Sequence, residues 1–118
     1  MAYAHVLTDD EGRELLRIAR ATIREFADSG RIPPGKPHRA SLVAPALVAV
    51  RLSRAGVERG HAAATEERPL YRAIQEMVVA AARTVEAFDE ELAEELAIAV
   101  EVTTAAGPLQ LAESPRAT

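Results

Sequence analysis

The chain has 118 residues, which is enough for one folded domain with a single hydrophobic core. Its net charge of −4 argues against nucleic-acid partners and anionic membrane surfaces, because both need a basic surface. The absence of cysteine excludes disulfides, thiolate nucleophiles and sulfur-ligated metals.

No apolar run approaches the roughly 20 residues that a membrane-spanning helix needs, and the amino terminus lacks a signal-peptide core. We therefore predict a cytoplasmic protein with no membrane partner. His5, His38 and His61 are too scattered to form a metal signature, and Gly30–Gly35 lacks the strand–loop–helix context of a phosphate loop. We expect no metal and no cofactor.

The first predicted element follows a frayed lead-in at residues 1–7. Thr8 and Glu11 have the spacing of a capping box, and apolar residues recur at helical spacing as far as Phe26. Gly30 supplies a left-handed cap, and the prolines that follow prevent the helix from resuming. The pattern predicts a helix from Thr8 to the neighbourhood of Gly30.

A β-hairpin is predicted after a proline-marked loop at residues 31–44. Its strands run from Ala46 to Leu52 and from Val57 to Ala63, joined by a turn at Ser53–Gly56. In the first strand, the apolar residues that alternate from Val48 onward predict one buried face.

The second half of the chain predicts a helix that begins at Pro69 and keeps an apolar stripe as far as Val85. A short acidic helix at residues 89–96 and a half-buried strand at Ile98–Val102 follow. We predict one α+β domain over residues 8–112, with two main helices packed on a small antiparallel or mixed sheet, and a disordered tail at residues 113–118.

The segment Gly56–Ile74, GVERGHAAATEERPLYRAI, resembles the AMME-syndrome chromosomal-region (AMMECR-type) domain family. The family signature reads Leu-Arg-Gly-Cys-Ile-Gly, followed after a short loop by Pro-Leu and a helix. Arg59-Gly60 and Pro69-Leu70 fit this signature, whereas His61 stands where the family has cysteine. The run IAVEVTTAAGPLQL is similar to a strand of the family and the proline-bearing segment after it.

The resemblance implies an α+β fold but leaves function open, because the family has no settled biochemical activity. Family domains continue with further strands and a helix beyond the matched region. A sheet without them would have unpaired edges and an uncovered face, which natural proteins usually hide. The aromatic content of only 3% also limits the core. We therefore predict a homodimer.

The candidate site centres on Arg59 and His61, which strand alternation places on one face. His61 is a candidate general acid or base, and Arg59 a candidate ligand for a carboxylate or an oxyanion. The alternative is that both are ordinary surface residues. Glu101 interrupts an apolar strand: on a covered face it is an acid or base candidate, and on an open face it is a solvated side chain.

Thr65 and Tyr71 flank this segment and complete the predicted ligand-binding set of Arg59, His61, Thr65 and Tyr71. The structural alternative for Thr65-Glu66-Glu67 is that these polar residues cap the second helix.

Three functions stay open. The first is a non-catalytic module that binds a small molecule or a protein partner beside Arg59 and His61. The second is a small cofactor-independent enzyme of bacterial specialised metabolism that uses His61 as acid or base, assisted by Arg59 or Glu101. The third is a structural or regulatory partner subunit, because the resemblance implies partners encoded nearby, such as Memo-like and radical SAM proteins.

Overall fold

A computed structural model of the chain describes residues 3–34, 37 and 39–115, and it shows the predicted α+β fold. In the described part of the chain, no helix is long and apolar enough to cross a bilayer. In chain order the elements are α1 (Asp9–Ser29), a 3-10 turn (Ala40–Val43), β1 (Pro45–Ala46), β2 (Val48–Arg54), β3 (Val57–Ala63), β4 (Arg68–Pro69), α2 (Leu70–Ala82), α3 (Glu90–Glu95), β5 (Ala97–Thr104) and β6 (Gly107–Glu113).

The first helix confirms the prediction at both ends. The Thr8 hydroxyl accepts a hydrogen bond from the Glu11 amide (3.2 Å), and the Glu11 carboxylate accepts one from the Thr8 amide (2.8 Å). Gly30 ends the helix with a φ of 74°, and its N–H donates to the Phe26 carbonyl. The capping box and the left-handed glycine therefore set the length of α1.

The main sheet has the order β3-β2-β5-β6, and all of its neighbouring strands are antiparallel. The alternation predicted for β2 is confirmed, since Val48, Val50 and Leu52 are buried. In β5, Ile98, Val100 and Val102 are buried opposite them. These six side chains form the floor on which α1 and α2 pack.

The hairpin loop lies within the predicted turn but is two residues shorter. β2 extends to Arg54, and the loop consists of Ala55 (φ 51°) and Gly56 (φ 80°). Two successive left-handed residues are typical of the tight type I′ connection, which matches the twist of the strands. The predicted first strand is also split, because β1 leaves the main sheet and pairs with β4.

The start of α2 differs from the prediction. Pro69 is its N-cap, no side chain caps it, and Val85 is buried beyond its end at Ala82. The Leu70 N–H instead donates to the Ala44 carbonyl, which the β1–β4 pairing holds nearby. The prediction that Thr65-Glu66-Glu67 cap this helix end stays a prediction, and the N-cap position itself belongs to Pro69.

Ordered structure extends into both the predicted lead-in and the predicted tail. In the lead-in, Tyr3 is buried in the core and bridges to Thr104. At the other end β6 is an additional strand, so Glu113 belongs to the sheet and not to a disordered tail. Residues 116–118 of the predicted tail lie outside the described residues.

Gly60 fixes how closely α2 approaches β3. A Cβ atom at this position would lie 2.6 Å from the Ala81 carbonyl oxygen and 2.7 Å from both Thr84 Oγ1 and Val85 Cγ2. Two of these neighbours follow directly on the end of α2. A side chain at position 60 would therefore push the carboxyl end of α2 off the sheet.

We expect Gly60→Ala to lower the free energy of unfolding by about 3 kcal/mol, because the added methyl group meets a backbone atom that cannot rotate away. Gly30→Ala is the comparison: its Cβ has open space, so only the left-handed backbone disfavours it, by about 1 kcal/mol. Urea unfolding of both variants measures the difference. Equal losses would show that the contact between Gly60 and α2 is not tight.

Candidate functional site

The sheet has one covered and one uncovered side. The side chains opposite the helices are termed the open face, and five of them are alanines. Strand register arranges these side chains in rows across the sheet, two of which cross all four strands. One row is Ala63, Ala49, Glu101 and Gln110; the next is His61, Arg51, Ala99 and Ala112; Glu58, Ser53 and Ala97 form a third, and Thr103 and Pro108 lie at the far end.

His61 lies on the open face in a small cluster of charged groups. Its Nδ1 is 3.1 Å from Glu58 Oε2, and Arg51 Nε is 3.7 Å from the other oxygen of the same carboxylate. Side-chain exposure is 69% for His61, 75% for Arg51 and 50% for Glu58. The cluster is therefore bathed in solvent.

Arg59 does not share a face with His61 in the predicted way. Leu52 pairs with Gly60 but Ser53 pairs with Glu58, so β3 has one extra residue at Arg59. This β-bulge breaks the alternation on which the prediction rested, since two residues of β3 now oppose one of β2. Glu58, not Arg59, becomes the neighbour of His61.

The bulged Arg59 borders a separate cleft of about 300 Å³ between the hairpin and α3. Carboxylates dominate the lining, and within the described residues Arg59 itself makes no ion pair. Besides Arg59, the cleft is lined by Arg54, Glu86, Ala87, Asp89, Glu91, Leu92 and Glu95. A negatively charged wall makes this cleft a poor binding site for a carboxylate.

Glu101 lies half-buried on the open face, where it accepts a hydrogen bond of 2.5 Å from Gln110 Nε2. The geometry supports the alternative in which it is a polar residue of an uncovered strand. The intervening strand β2 and an offset of two residues along the strands separate Glu101 from His61, which puts their backbones roughly 12 Å apart. The two side chains do not converge on one reacting atom.

Thr65 and Tyr71 lie away from His61. Thr65 is exposed in the loop after β3, and Tyr71 is half-buried in the first turn of α2. His61 contacts the opposite end of this helix, where its N–H donates to Thr84 Oγ1 at 3.3 Å. From Tyr71 to Ala82 the helix rises about 16 Å, so the four predicted ligand-binding residues do not form one site.

Glu58 and Arg51 were not among the predicted site residues, although both lie in the predicted hairpin. Pairing Arg51 with His61 would have indicated the cluster, but the register depends on the bulge, which the sequence pattern does not show. For metals, the described residues contain no group of three His, Asp or Glu suited to bind an ion. His38 lies outside the described residues.

A charged groove of about 1080 Å³ lies between α1, α3 and the end of β6. Its arginines are already paired: Arg20 with Glu113, Arg24 with Glu94 and Arg54 with Glu95. Buried Arg20 also donates to the carbonyls of Ala93 and Leu96. The bidentate Arg24 guanidinium lowers the pKa of Glu94. These pairs join α1 to α3 and β6, and β2 to α3, so the groove is a structural joint.

Among the described residues, the most perturbed titratable group is Glu11, which is buried at the start of α1. Its carboxylate accepts hydrogen bonds from the Ser41 hydroxyl and the Thr8 amide, and His5 Nε2 lies 3.0 Å away. These partners, with Ser41 the strongest, lower its pKa from 4.5 to about 2. Tyr3 joins the group by donating to the Ser41 carbonyl, so the cluster ties the lead-in to α1.

The chain matches no protein-family model and no curated protein sequence. Solved structures do match, among them an uncharacterized protein, PH0010, from Pyrococcus horikoshii, with a TM-score of 0.72 and 27% sequence identity. The match covers 81% of this chain but only 52% of PH0010, so this chain spans about half the length of that protein. The similarity supports a shared fold and gives no information about activity.

We expect Glu11 to stabilise the fold most above pH 4.5, because its folded pKa of about 2 is depressed. This contribution is lost as the pH falls from about 4.5 towards 2, where the folded carboxylate also becomes protonated. Glu11→Gln should cost about 2 kcal/mol at neutral pH through the lost charge-assisted hydrogen bonds. The difference in unfolding free energy between this variant and the wild type should then shrink as the pH falls. Chemical denaturation at a series of pH values measures it.

Glu66→Gln is the control for general acid effects, since Glu66 is an exposed carboxylate paired only loosely with Arg68. Its free energy of unfolding should stay close to that of the wild type at every pH. A Glu11→Gln deficit that is the same at acidic and neutral pH would contradict the role of the ionised carboxylate.

Proposed function

We propose that this chain is a non-catalytic binding module whose contact surface is the open face. The observation that carries this proposal is the setting of His61: its side chain is 69% exposed and its charged neighbours are Glu58 and Arg51 on a flat sheet. Acid–base and oxyanion chemistry gains most from a site that excludes water. An exposed face of a sheet suits contact with another surface.

The positions of the other candidates support the same conclusion. Arg59 borders the acidic cleft behind the bulge, and Glu101 lies two strands away from His61. A catalytic site needs nucleophile, base and stabilising donors within hydrogen-bond reach of one reacting atom. The three predicted catalytic residues His61, Arg59 and Glu101 do not meet this condition.

A protein partner fits the open face better than a small carboxylate. The Glu58 carboxylate lies 3.1 Å from His61 and 3.7 Å from Arg51, so an anion arriving at these two groups would meet a negative charge already in place. The alanines around them let another backbone come close. Small side chains around a polar centre are suited to contact over a broad, shallow area.

We also propose membership of the AMMECR-type family, and partners encoded nearby stay part of that proposal. Two of the matched residues have clear structural roles in this chain. Gly60 leaves room for the end of α2, and Pro69 pairs with Pro45 and occupies the N-cap position of the same helix. Both roles concern the fold, so the family signature does not itself imply a reaction.

A small enzyme is the second candidate, and one observation favours it. A carboxylate 3.1 Å from His61 Nδ1 would orient the ring and leave Nε2 directed elsewhere, as in many acid–base pairs. The high exposure of His61 weighs against it, because water would compete for the same proton transfer.

The proposal predicts that peptides selected for binding to this chain bind at the open face. A random dodecapeptide library displayed on phage would be selected against the immobilised chain, and the selected peptides titrated against two variants. Ala49→Arg puts a bulky cation at the centre of the open face, beside Glu101. We expect it to weaken peptide binding at least about tenfold, which corresponds to about 1.4 kcal/mol.

Ala21→Arg is the matched control, because it makes the same substitution at an exposed position of α1. It should leave peptide affinity unchanged, and circular dichroism checks that both variants fold. Peptides that bind Ala49→Arg as tightly as the wild type, with amide shifts mapping to other surfaces, would contradict the proposal.

A further inference from the structure

We infer that the partner of the open face is a second copy of this chain, packed sheet against sheet around a two-fold axis that runs between β2 and β5. This inference rests on the proposed function, since it names the occupant of the same surface. It follows from how large and small side chains alternate across the four strands.

The rows of the open face are self-complementary in size. A two-fold axis along the strands places β2 opposite β5 of the second copy, and β3 opposite β6. Arg51 then faces Ala99 of the second copy, and Glu101 faces its Ala49. On the outer strands, His61 faces Ala112 and Gln110 faces Ala63, so every long side chain of the two middle rows meets an alanine.

The charges are complementary under the same operation. Arg51 faces Ala99 of the second copy, and Glu101 of that copy is two residues further along the same strand, about 7 Å away. A long arginine side chain spans this distance. The symmetry makes the contact twice, once in each direction, as an isologous interface requires.

The edges of the sheet are less suited to self-association than its face. On β3 the outward-facing N–H of His61 is already bonded to Thr84 Oγ1. On β5 the Thr103 N–H points to Leu47 beside β2, so its partner Pro108 on β6 points outward and has no N–H to offer. Proline and a capped amide are recognised devices against edge pairing.

The size of the surface predicts a weak dimer. Four strands span roughly 19 Å, and the rows extend roughly 20 Å along the strands, which gives on the order of 400 Å² of flat area per copy. Stable specific interfaces bury about 800 Å² per partner. We therefore expect dissociation in the micromolar range and not an obligate dimer.

A charge-swap experiment tests the inference by analytical ultracentrifugation over micromolar to millimolar concentrations. Arg51→Glu and Glu101→Arg should each weaken the dimer at least about tenfold, because each places like charges in contact twice. The double variant Arg51→Glu/Glu101→Arg restores opposite charges across the interface, so its dissociation constant should return to within about threefold of the wild type.

Arg17→Glu is the control, because it changes the net charge as Arg51→Glu does but lies exposed on α1. It should leave association unchanged. If the charge variants unfold, Ala99→Arg is the alternative test. The new arginine faces Arg51 of the second copy and should weaken the dimer as much as the single charge variants do.

A wild-type chain that stays monomeric at millimolar concentration would overturn the inference, and so would a dimer that is insensitive to the swap and to Ala99→Arg. Neither result would overturn the proposed function if displayed peptides still depend on Ala49. If the chain stays monomeric and peptide affinity does not depend on Ala49, the open face is not a contact surface.

Discussion

The structure depends on one constraint: both long helices pack on the same side of the four-stranded sheet. Buried valines, leucine and isoleucine of β2 and β5 face these helices, and Gly60 lets the end of α2 come within contact distance of β3. The same alternation turns alanines and a few charged residues to the other side. The open face is therefore a direct consequence of how the core forms, and it positions His61, Arg51, Glu58 and Glu101.

Local signals in the sequence predicted most of the fold. Thr8, Glu11 and Gly30 define α1 through interactions within a few residues, and alternation in β2 and β5 reports the buried face. β6 escaped prediction because it begins at a glycine and a proline and contains few β-branched residues, so its pairing with β5 decides its structure. The hydrogen bond at the start of α2 was not predicted either, because the Ala44 carbonyl that accepts it from Leu70 lies in a distant part of the chain.

The candidate site was predictable only in part. His61 is on an exposed strand face, but the bulge at Arg59 exchanges its expected neighbour for Glu58. One inserted residue thus changes a cation–imidazole pair into an imidazole–carboxylate–guanidinium cluster. Such a cluster is largely neutralised internally, and its exposure makes each ion pair worth little by itself. Its chemistry is better suited to marking a contact surface than to activating a substrate.

The most direct test of this account is the exposure of the alanine methyl groups to a soluble gadolinium chelate, followed by NMR at increasing protein concentration. The methyl groups of Ala49, Ala97 and Ala99 should relax strongly in dilute solution and become protected in concentrated solution, while that of Ala21 on α1 stays exposed throughout. Strong relaxation of the open-face methyl groups at every concentration would contradict self-association through this face. Protection at a concentration where ultracentrifugation shows only the monomer would contradict an uncovered sheet in the single chain.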